Sequence, residues 1–538
     1  MRDNFIRSLP LVASALGRKY GLKVIIGGEQ AATNGDTIYL PSLPLNSPPE
    51  LTALARGFLD HEAAHVRETN MRVLKSANLS PLEMHAWNTI EDWRVESILG
   101  GIFPGCRRNF DWLIRHMFDR DHEEDIPIDL EILNWLLLGI RSWAVPELKL
   151  RVDGLEQRIE AELTGLIPTL KPILDRIKQN CPDTKAAIAY AREIVDALKQ
   201  WKQDEAEGQS TVSGNVELSW QDDNTGGDEH QPLASEGDTG DDKAIIIQSL
   251  LDRPTIDLPQ GLGEAVARIL SLAKADENEG LLQVAQVCHR DLCELTANRL
   301  AEAKMVTTSL KYKLQSLLQA MTLQKIEAGY RGRLDTKTIH KLFVGDPKIF
   351  RRPGARIGHS TAVHLLIDAS GSMSGSINLV SLLSYSLCRS LSEMPGISVG
   401  ASVFPGQQTR RTKGRDKCWE TISPILRHSQ AMHTKFQLEA EGGTPMGEAI
   451  WWALQEMAPL KENRKIIMVL TDGEPDYWDN TKAAISEAKH QGYEIYGLGI
   501  GCTSIKSLLP GNSTEITHLS ELPRKLFELL GQAMLRTA

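Results

Sequence analysis

Ala362-Val363-His364-Leu365-Leu366-Ile367-Asp368-Ala369-Ser370-Gly371-Ser372 reads as a buried strand that ends in a loop carrying three oxygen side chains. Alternate positions in an extended loop point the same way. Asp368, Ser370 and Ser372 therefore offer a carboxylate and two hydroxyls to one point, a donor set that suits a hard divalent cation such as Mg2+. Two later segments extend the pattern. Gly442-Gly443-Thr444-Pro445 presents another hydroxyl just before a helix, and Ile466–Leu470 is a second apolar strand that ends in Thr471-Asp472-Gly473. Three strand-end loops in this order are expected if they meet at one ion.

Together these segments resemble the von Willebrand factor A (VWA) domain and its metal-ion-dependent adhesion site. All five motif positions are matched, by Asp368, Ser370, Ser372, Thr444 and Asp472. The surrounding sequence agrees. Candidate strands Val363–Ile367, Ser398–Phe404, Ile466–Leu470 and Glu494–Ile500 alternate with candidate helices Leu379–Ser392, Met446–Met457, Thr481–His490 and Ser520–Leu535. Such alternation predicts an α/β domain with a doubly wound, mostly parallel sheet and a ligand site at the C-terminal ends of its strands.

At 538 residues the chain has room for about three domains. Its 41% hydrophobic and 24% charged residues are those of a soluble globular protein. No apolar run approaches the ~20 residues of a membrane span. The short apolar stretch Leu9–Leu16 lacks a cleavage-site pattern, which argues against secretion. Seven Cys, an odd number with no CxxC pair, predict reduced thiols and a cytoplasmic setting. Cys288, His289 and Cys293 are not read as a metal cluster, because on a helix the two Cys stand ~140° apart.

The net charge of −10 is concentrated in one segment. Gln203–Asp242 holds 12 Asp and Glu and no Lys or Arg, so the rest of the chain carries −10 − (−12) = +2. The stretch is also rich in Gly, Ser, Thr, Asn and Gln, and it reads as a disordered acidic linker. Nothing in the charge pattern suggests nucleic-acid binding.

The N-terminal part reads as a helix (Phe5–Tyr20), a strand (Leu22–Ile26), a turn at Asn34-Gly35 and a strand (Thr37–Leu40). Pro48-Pro49-Glu50 opens a helix to about Asn70, and Ser80-Pro81-Leu82-Glu83 is a capping box that starts another, ended by Gly100-Gly101. The first of these two helices carries His61-Glu62-Ala63-Ala64-His65, an HExxH. At ~100° per residue its polar groups fall on or beside the apolar face of Leu51, Leu54, Ala55 and Phe58, where unpaired they would cost several kcal/mol. A metal ion accounts for them. Two His at i and i+4 can ligate one Zn2+, and Glu62 can take a proton from water. On the second helix Met84, Trp87, Glu91, Val95 and Ile98 share a face, so Glu91 is the expected third ligand, with Asp92 at the flank second and His85 third. The arrangement resembles the zincin metallopeptidases whose third ligand is Glu.

On this reading the chain divides into a zincin-like metal-binding domain (1–110), a helical region (111–202), the acidic linker (203–242), a helical region with a basic connector (243–354) and the VWA domain (355–538). Two helices are expected over Leu258–Met321. Arg331-Gly332-Arg333-Leu334-Asp335, Gly345-Asp346-Pro347 and Phe350-Arg351-Arg352 lead into the first VWA strand, and Glu91-Asp92-Trp93-Arg94-Val95-Glu96 lies upstream. With the acidic linker, this resembles the cobaltochelatase CobT subunit and its bacterial and phage relatives, most fully over about 325–538. The resemblance implies a VWA adaptor that works with an AAA+ ATPase of the MoxR/CobS type and with a target protein or large chelatase subunit. The chain has no GxxxxGK[ST], so the ATPase would act in trans. It departs from that subunit by carrying an intact HExxH, which leaves a second role, zinc peptidase, open beside the adaptor role.

Overall fold

The computed structural model describes residues 6–12, 23–27, 31–33, 37–118, 126–210, 239–273, 280–305, 326–329, 333–334, 350–353, 360–406 and 420–516, together with 308, 312, 521, 524–525 and 528–529. Near the N-terminus, β1 (Lys23–Ile26) runs parallel to β3 (Thr37–Leu40), and β2 (Ala32–Thr33) lies antiparallel on the other side of β3. The expected Asn34-Gly35 turn lies outside the described residues. β4 (Leu43–Pro44) follows, and then Pro48 caps α1 (Pro49–Glu68) with Pro49 at its first position. That position has no intrahelical use for an N–H, which is why proline is favoured there.

A short α2 (Met71–Ala77) leads to α3 (Pro81–Ile102), opened by the predicted capping box. The Glu83 N–H donates to Ser80 Oγ at 3.3 Å, and the Ser80 N–H donates to Glu83 Oε2 at 2.8 Å. Gly100-Gly101 does not end this helix. Neither residue has a positive φ, and the helix runs through both to Ile102. Gly100 instead gives room to α4 (Pro104–Phe118), since a Cβ there would lie 3.2 Å from Arg107 Cβ.

The helical expectation for 110–202 is met by α4, α5 (Ile128–Arg141), α6 (Lys149–Glu162), α7 (Leu166–Gln179) and α8 (Thr184–Ser210), with 119–125 outside the described residues. α1, α4, α5 and α8 all pack on α3. The segment read as a linker is helical at both ends, because α8 continues to Ser210 and α9 begins at Thr239 (Thr239–Asp252). Gln203, Glu205, Ala206 and Glu207 are good helix formers, and lengthening an existing helix is far easier than nucleating one. The remainder of the linker, 211–238, lies outside the described residues.

Over Leu258–Met321, α10 (Leu262–Leu272) is one of the two expected helices, and the residues described at 297–305 are helical. Between them are two strands that were not expected, β5 (Leu281–Leu282) and β6 (Gln286–Val287). The Cys288–Cys293 segment is not helical. Most of the basic connector lies outside the described residues; what is described forms a three-stranded sheet of β7 (Ile326–Gly329), β8 (Arg333–Leu334) and β9 (Phe350–Pro353).

The C-terminal part is the α/β domain the sequence predicts. β10 (Thr361–Asp368) lies at the centre, with β11 (Ile397–Phe404) and β13 (Arg464–Thr471) parallel on either side. β14 (Glu494–Ile500) and β15 (Ser513–Ile516) extend the sheet in parallel beyond β13. Beyond β11 come β12 (Thr421–Leu426), antiparallel, and then β6 from the connector. Val363, Leu365 and Ile367 face α11 (Ile377–Ser392), while Ala362 and Leu366 join the core with α12 (Met446–Met457) and α13 (Trp478–His490). With both faces covered, β10 is buried along its whole length. α14 (Ser504–Leu508) precedes β15, and the helix expected over Ser520–Leu535 falls mostly outside the described residues. The α12–α13 core is continuous with that of the N-terminal helices. Among the described residues, no helix is long and apolar enough to cross a membrane.

Candidate metal centres

Asp368 and Thr471 are the last residues of neighbouring strands, so the loops that follow leave the sheet side by side. Asp368 is fully buried. Its Oδ1 accepts the Ser370 N–H at 2.8 Å, and its Oδ2 accepts the Thr471 hydroxyl at 2.5 Å. Ser370 Oγ lies 3.0 Å from Ser372 Oγ, which donates to Asp472 Oδ1 at 2.7 Å. The loop with Thr444 is tied to the first by two backbone bonds, Gly371 N–H to Gly442 O at 2.9 Å and Glu441 N–H to Ala369 O at 2.7 Å. Gly442 turns the chain there with a φ of 85°, a conformation glycine adopts without steric cost. A Cβ on Gly473 would stand 3.1 Å from Thr444 Oγ1 and 3.7 Å from Ser372 Oγ, so these hydroxyls face one another across a bare backbone. Asp368, Ser370, Ser372, Thr444 and Asp472 are thus brought together at the strand ends.

Burial pushes the Asp368 carboxyl up to about 6, against the hydrogen bonds from Thr471 and Ser370 and with the nearby Asp472 adding to the rise. A buried carboxylate beside a second carboxylate is an arrangement that a cation relieves. All the donors are oxygens, which fits a hard divalent ion.

The second centre lies between α1 and α3. The rings of His61 and His65 are 4.7 Å apart between centroids. His61 Nδ1 lies 2.7 Å from Glu96 Oε1, and His65 Nδ1 lies 3.1 Å from Thr69 Oγ1. Both Nε2 atoms are left for Asp92, whose Oδ1 lies 3.0 Å from His65 Nε2 and 4.0 Å from His61 Nε2. The three ligand atoms of His61, His65 and Asp92 lie within 4.8 Å of one another. Ligands about 2.0 Å from a tetrahedral zinc stand roughly 3.3 Å apart, so the set fits such an ion. Outer partners that hold each Nδ1 are the usual company of metal-ligating histidines. Glu62 borders the same space: a Cβ on Gly263 would lie 2.7 Å from His61 Nε2 and 3.2 Å from Glu62 Oε1.

Glu91, the expected third ligand, is turned away from the histidines. It accepts from Arg94 Nη2 at 2.6 Å and Arg94 Nε at 2.8 Å, and its Oε1 also accepts the Thr69 and Thr184 hydroxyls at 2.9 Å each. The expectation failed because it gave α3 a single apolar face. Glu91, Asp92, Arg94, Val95 and Glu96 are all buried, since helices surround α3. Asp92, named second from the sequence, occupies the position beside the histidines.

Two residues of this centre went unnoticed as site residues. Glu96 is one turn beyond Asp92, a spacing that sets both on one face. Arg141 comes from α5 and carries no local signal. It is fully buried, and donates to Glu96 Oε2 at 2.5 Å and to Asp92 Oδ2 at 2.9 Å. Burial disfavours the imidazolium of His61, but Asp92 and Glu96 outweigh it and hold the ring up at about 9. Burial likewise works against the Asp92 carboxylate, and His61, His65 and Arg141 overcome it, holding the group down at about 2. His85, the third option, stays outside the trio, and its buried Nε2 has no hydrogen-bond partner among the described residues.

Residues 1–129 match the family profile of the cobalamin biosynthesis protein CobT, and residues 362–523 match that of the von Willebrand factor type A domain. The chain thus combines an N-terminal region similar to CobT with a VWA domain. The CobT match falls over α1 and α3, whereas the resemblance seen in the sequence rested mainly on 325–538. No curated protein matches the chain. Solved structures that match part of the chain include the open pilus adhesin SpaC of Lactobacillus rhamnosus GG, at 14% identity over 32% of this chain and 30% of that one, with a TM-score of 0.27. The manganese-loaded TRAP protein of Plasmodium vivax matches at 13% identity over 32% and 74%, with a TM-score of 0.25. Proximal thread matrix protein 1 of the mussel byssus, with a zinc-occupied MIDAS motif, matches at 15% over 33% and 46%, with a TM-score of 0.27. The chain thus spans less than half the length of the adhesin and of the byssus protein.

Proposed function

We propose that the chain is a cobaltochelatase-like adaptor whose VWA domain binds Mg2+ on Asp368, Ser370, Ser372, Thr444 and Asp472. The observation that carries this reading is the convergence of these oxygen side chains from three loops around the buried Asp368 carboxylate. With five protein donors, an octahedral ion has one position left, and a carboxylate of a partner suits it. An AAA+ ATPase of the MoxR/CobS type, supplied in trans, would then pull on a target protein or large chelatase subunit through this contact. Calorimetric titration of the full chain with Mg2+, and capture of the cognate ATPase in Mg2+ and in EDTA, test the reading. Asp368→Ala and Asp472→Ala should abolish Mg2+ binding and capture together. Equal capture in Mg2+ and EDTA overturns it.

A second reading is favoured by the His61–His65–Asp92 trio. Zn2+ held there would supply a Lewis acid for peptide hydrolysis. Glu96 and Thr69 orient the two imidazoles, Arg141 orients Asp92, and Glu62, which borders the same space beside Gly263, would accept a proton from an attacking water. Glu62→Gln should keep the zinc and lose any hydrolysis. Absence of zinc from the purified full chain overturns this reading and leaves the adaptor role untouched.

A further inference from the structure

The mouth of the His61–Glu62 groove is not open. α10 packs on α1, and its first turn lies directly over the groove. A Cβ at Gly263 would come within 2.7 Å of His61 Nε2 and 3.0 Å of His61 Cδ2, closer than real Cβ atoms approach. One at Gly261 would fall 2.2 Å from Asn88 Nδ2. The Pro259 carbonyl reaches the His85 ring on the same face of α3. Only a backbone without side chains passes this close to the imidazole, as a bound polypeptide would.

The chain beyond α10 is anchored to both halves of the molecule. The Ala31 N–H donates to Ser271 Oγ at 3.0 Å, and the Leu45 N–H donates to the Gly280 carbonyl at 2.9 Å. From there the contacts pass to the VWA side. Asn480 Nδ2 donates to the Gln283 carbonyl at 3.1 Å, and the Ala285 N–H donates to the Glu448 carbonyl at 3.1 Å. Glu448 lies in the first turn of α12, directly after the Thr444 loop, and its side chain accepts from the same Asn480 amide at 2.8 Å. Leu262, Val266, Leu270, Leu282 and Val284 share one core with Met446 and Ile450 of α12.

We propose that Pro259–Gly263 is a built-in occupant of the His61–Glu62 groove, held there by the VWA domain through the 280–287 segment. Engagement of the Thr444 loop by a partner shifts α12, loosens 280–287 and lets α10 lift. The groove then accepts a polypeptide that presents a small residue opposite His61. This rests on the second reading above for what the groove does, but not for whether it is covered.

Hydrogen–deuterium exchange on the full chain, followed with and without Zn2+, tests it. Gly263→Ala forces a methyl against His61 and should raise exchange over 259–268 several-fold and speed removal of zinc by a chelator. Asn480→Asp breaks the contact to Gln283 from the far side and should raise exchange over 259–268 as well, while exchange over β10 stays unchanged and reports an intact sheet. Unchanged exchange over 259–268 in Gly263→Ala overturns the cover, and unchanged exchange there in Asn480→Asp overturns its control by the VWA domain. A chain that holds no zinc yet shows both exchange effects sinks the peptidase reading alone.

Discussion

On α3 the side chains of Glu91 and Asp92 stand about 100° apart, and that angle sends them to different partners. Glu91 is locked to Arg94 and two threonine hydroxyls, while Asp92 meets the histidines. Asp92 Oδ1 is 3.0 Å from a ring nitrogen whose other nitrogen is already engaged with Thr69, so something positive must lie between them, a proton or a metal ion. On the proposed zinc reading, Asp92→Asn should lose the metal. Glu91→Gln should keep zinc but cost about 3 kcal/mol or more, because it leaves Arg94 buried with a weakened partner. Metal content and thermal melting of the two variants separate these outcomes, and loss of zinc from Glu91→Gln would restore it as the ligand. Glu448 gives a second test at this scale. Burial pushes its carboxyl up to about 8, and its Oε2 has no hydrogen-bond partner among the described residues. The folded chain thus keeps a proton that the unfolded chain releases near 4.5, so this stabilising contribution is present at low pH and fades as pH rises through 8. Glu448→Gln should flatten that decline and raise the melting temperature at pH 9; an unchanged profile would show the carboxyl to be ionised in place. The HExxH and DxSxS residues were legible because their spacing states their geometry. Arg141 was not, because its partners lie on another helix.

At the scale of elements, the strands that carry the VWA loops were readable from runs of five to seven residues, whereas β5, β6, β12 and β15 were not. Two-residue strands have no period to detect, and β12 is interrupted by Pro424 and broken in register at Ala401 and Ser402. What β12 holds is also non-local. The turn after it brings His428 against His364 of β10, with Nε2 of one 3.1 Å from Nδ1 of the other. Gly400 of β11 makes the room, since a Cβ there would lie 2.7 Å from each of these nitrogens. Burial lowers both imidazoles, His428 to about 4 and His364 well below its ordinary value, so the folded sheet keeps them neutral. The unfolded chain takes up their protons near 6.5. The contribution is therefore present above that pH and is lost as pH falls from 6.5 towards 4. A VWA melting temperature that drops over this window, and drops less in His428→Gln, is expected. Equal slopes in the two proteins would remove the histidine pair from the acid response.

At the scale of the whole molecule, the boundary near 355 follows the composition of the chain but not its packing. β6 forms the edge of the VWA sheet beside β12, Leu295 and Ala303 lie in the core under α11, and Gln455 Nε2 donates to the Pro10 carbonyl at 2.8 Å. These contacts bridge long stretches of sequence, and none leaves a local pattern, so the sequence could show a VWA domain without showing that residues before it complete its sheet. A fragment of 355–538 would expose the whole β12 edge and lose the apolar surface of 280–305. An unpaired edge strand is a template for association, and removing buried leucine and alanine contacts from a core costs a few kcal/mol. We expect 355–538 to melt at least several degrees below a fragment of 280–538 and to scatter light on concentration, while both contain every residue of the proposed Mg2+ site. Matching melting temperatures, with both fragments monomeric, would show that the connector only rests on the sheet; the cover over His61 would then have no firm hold on the VWA side.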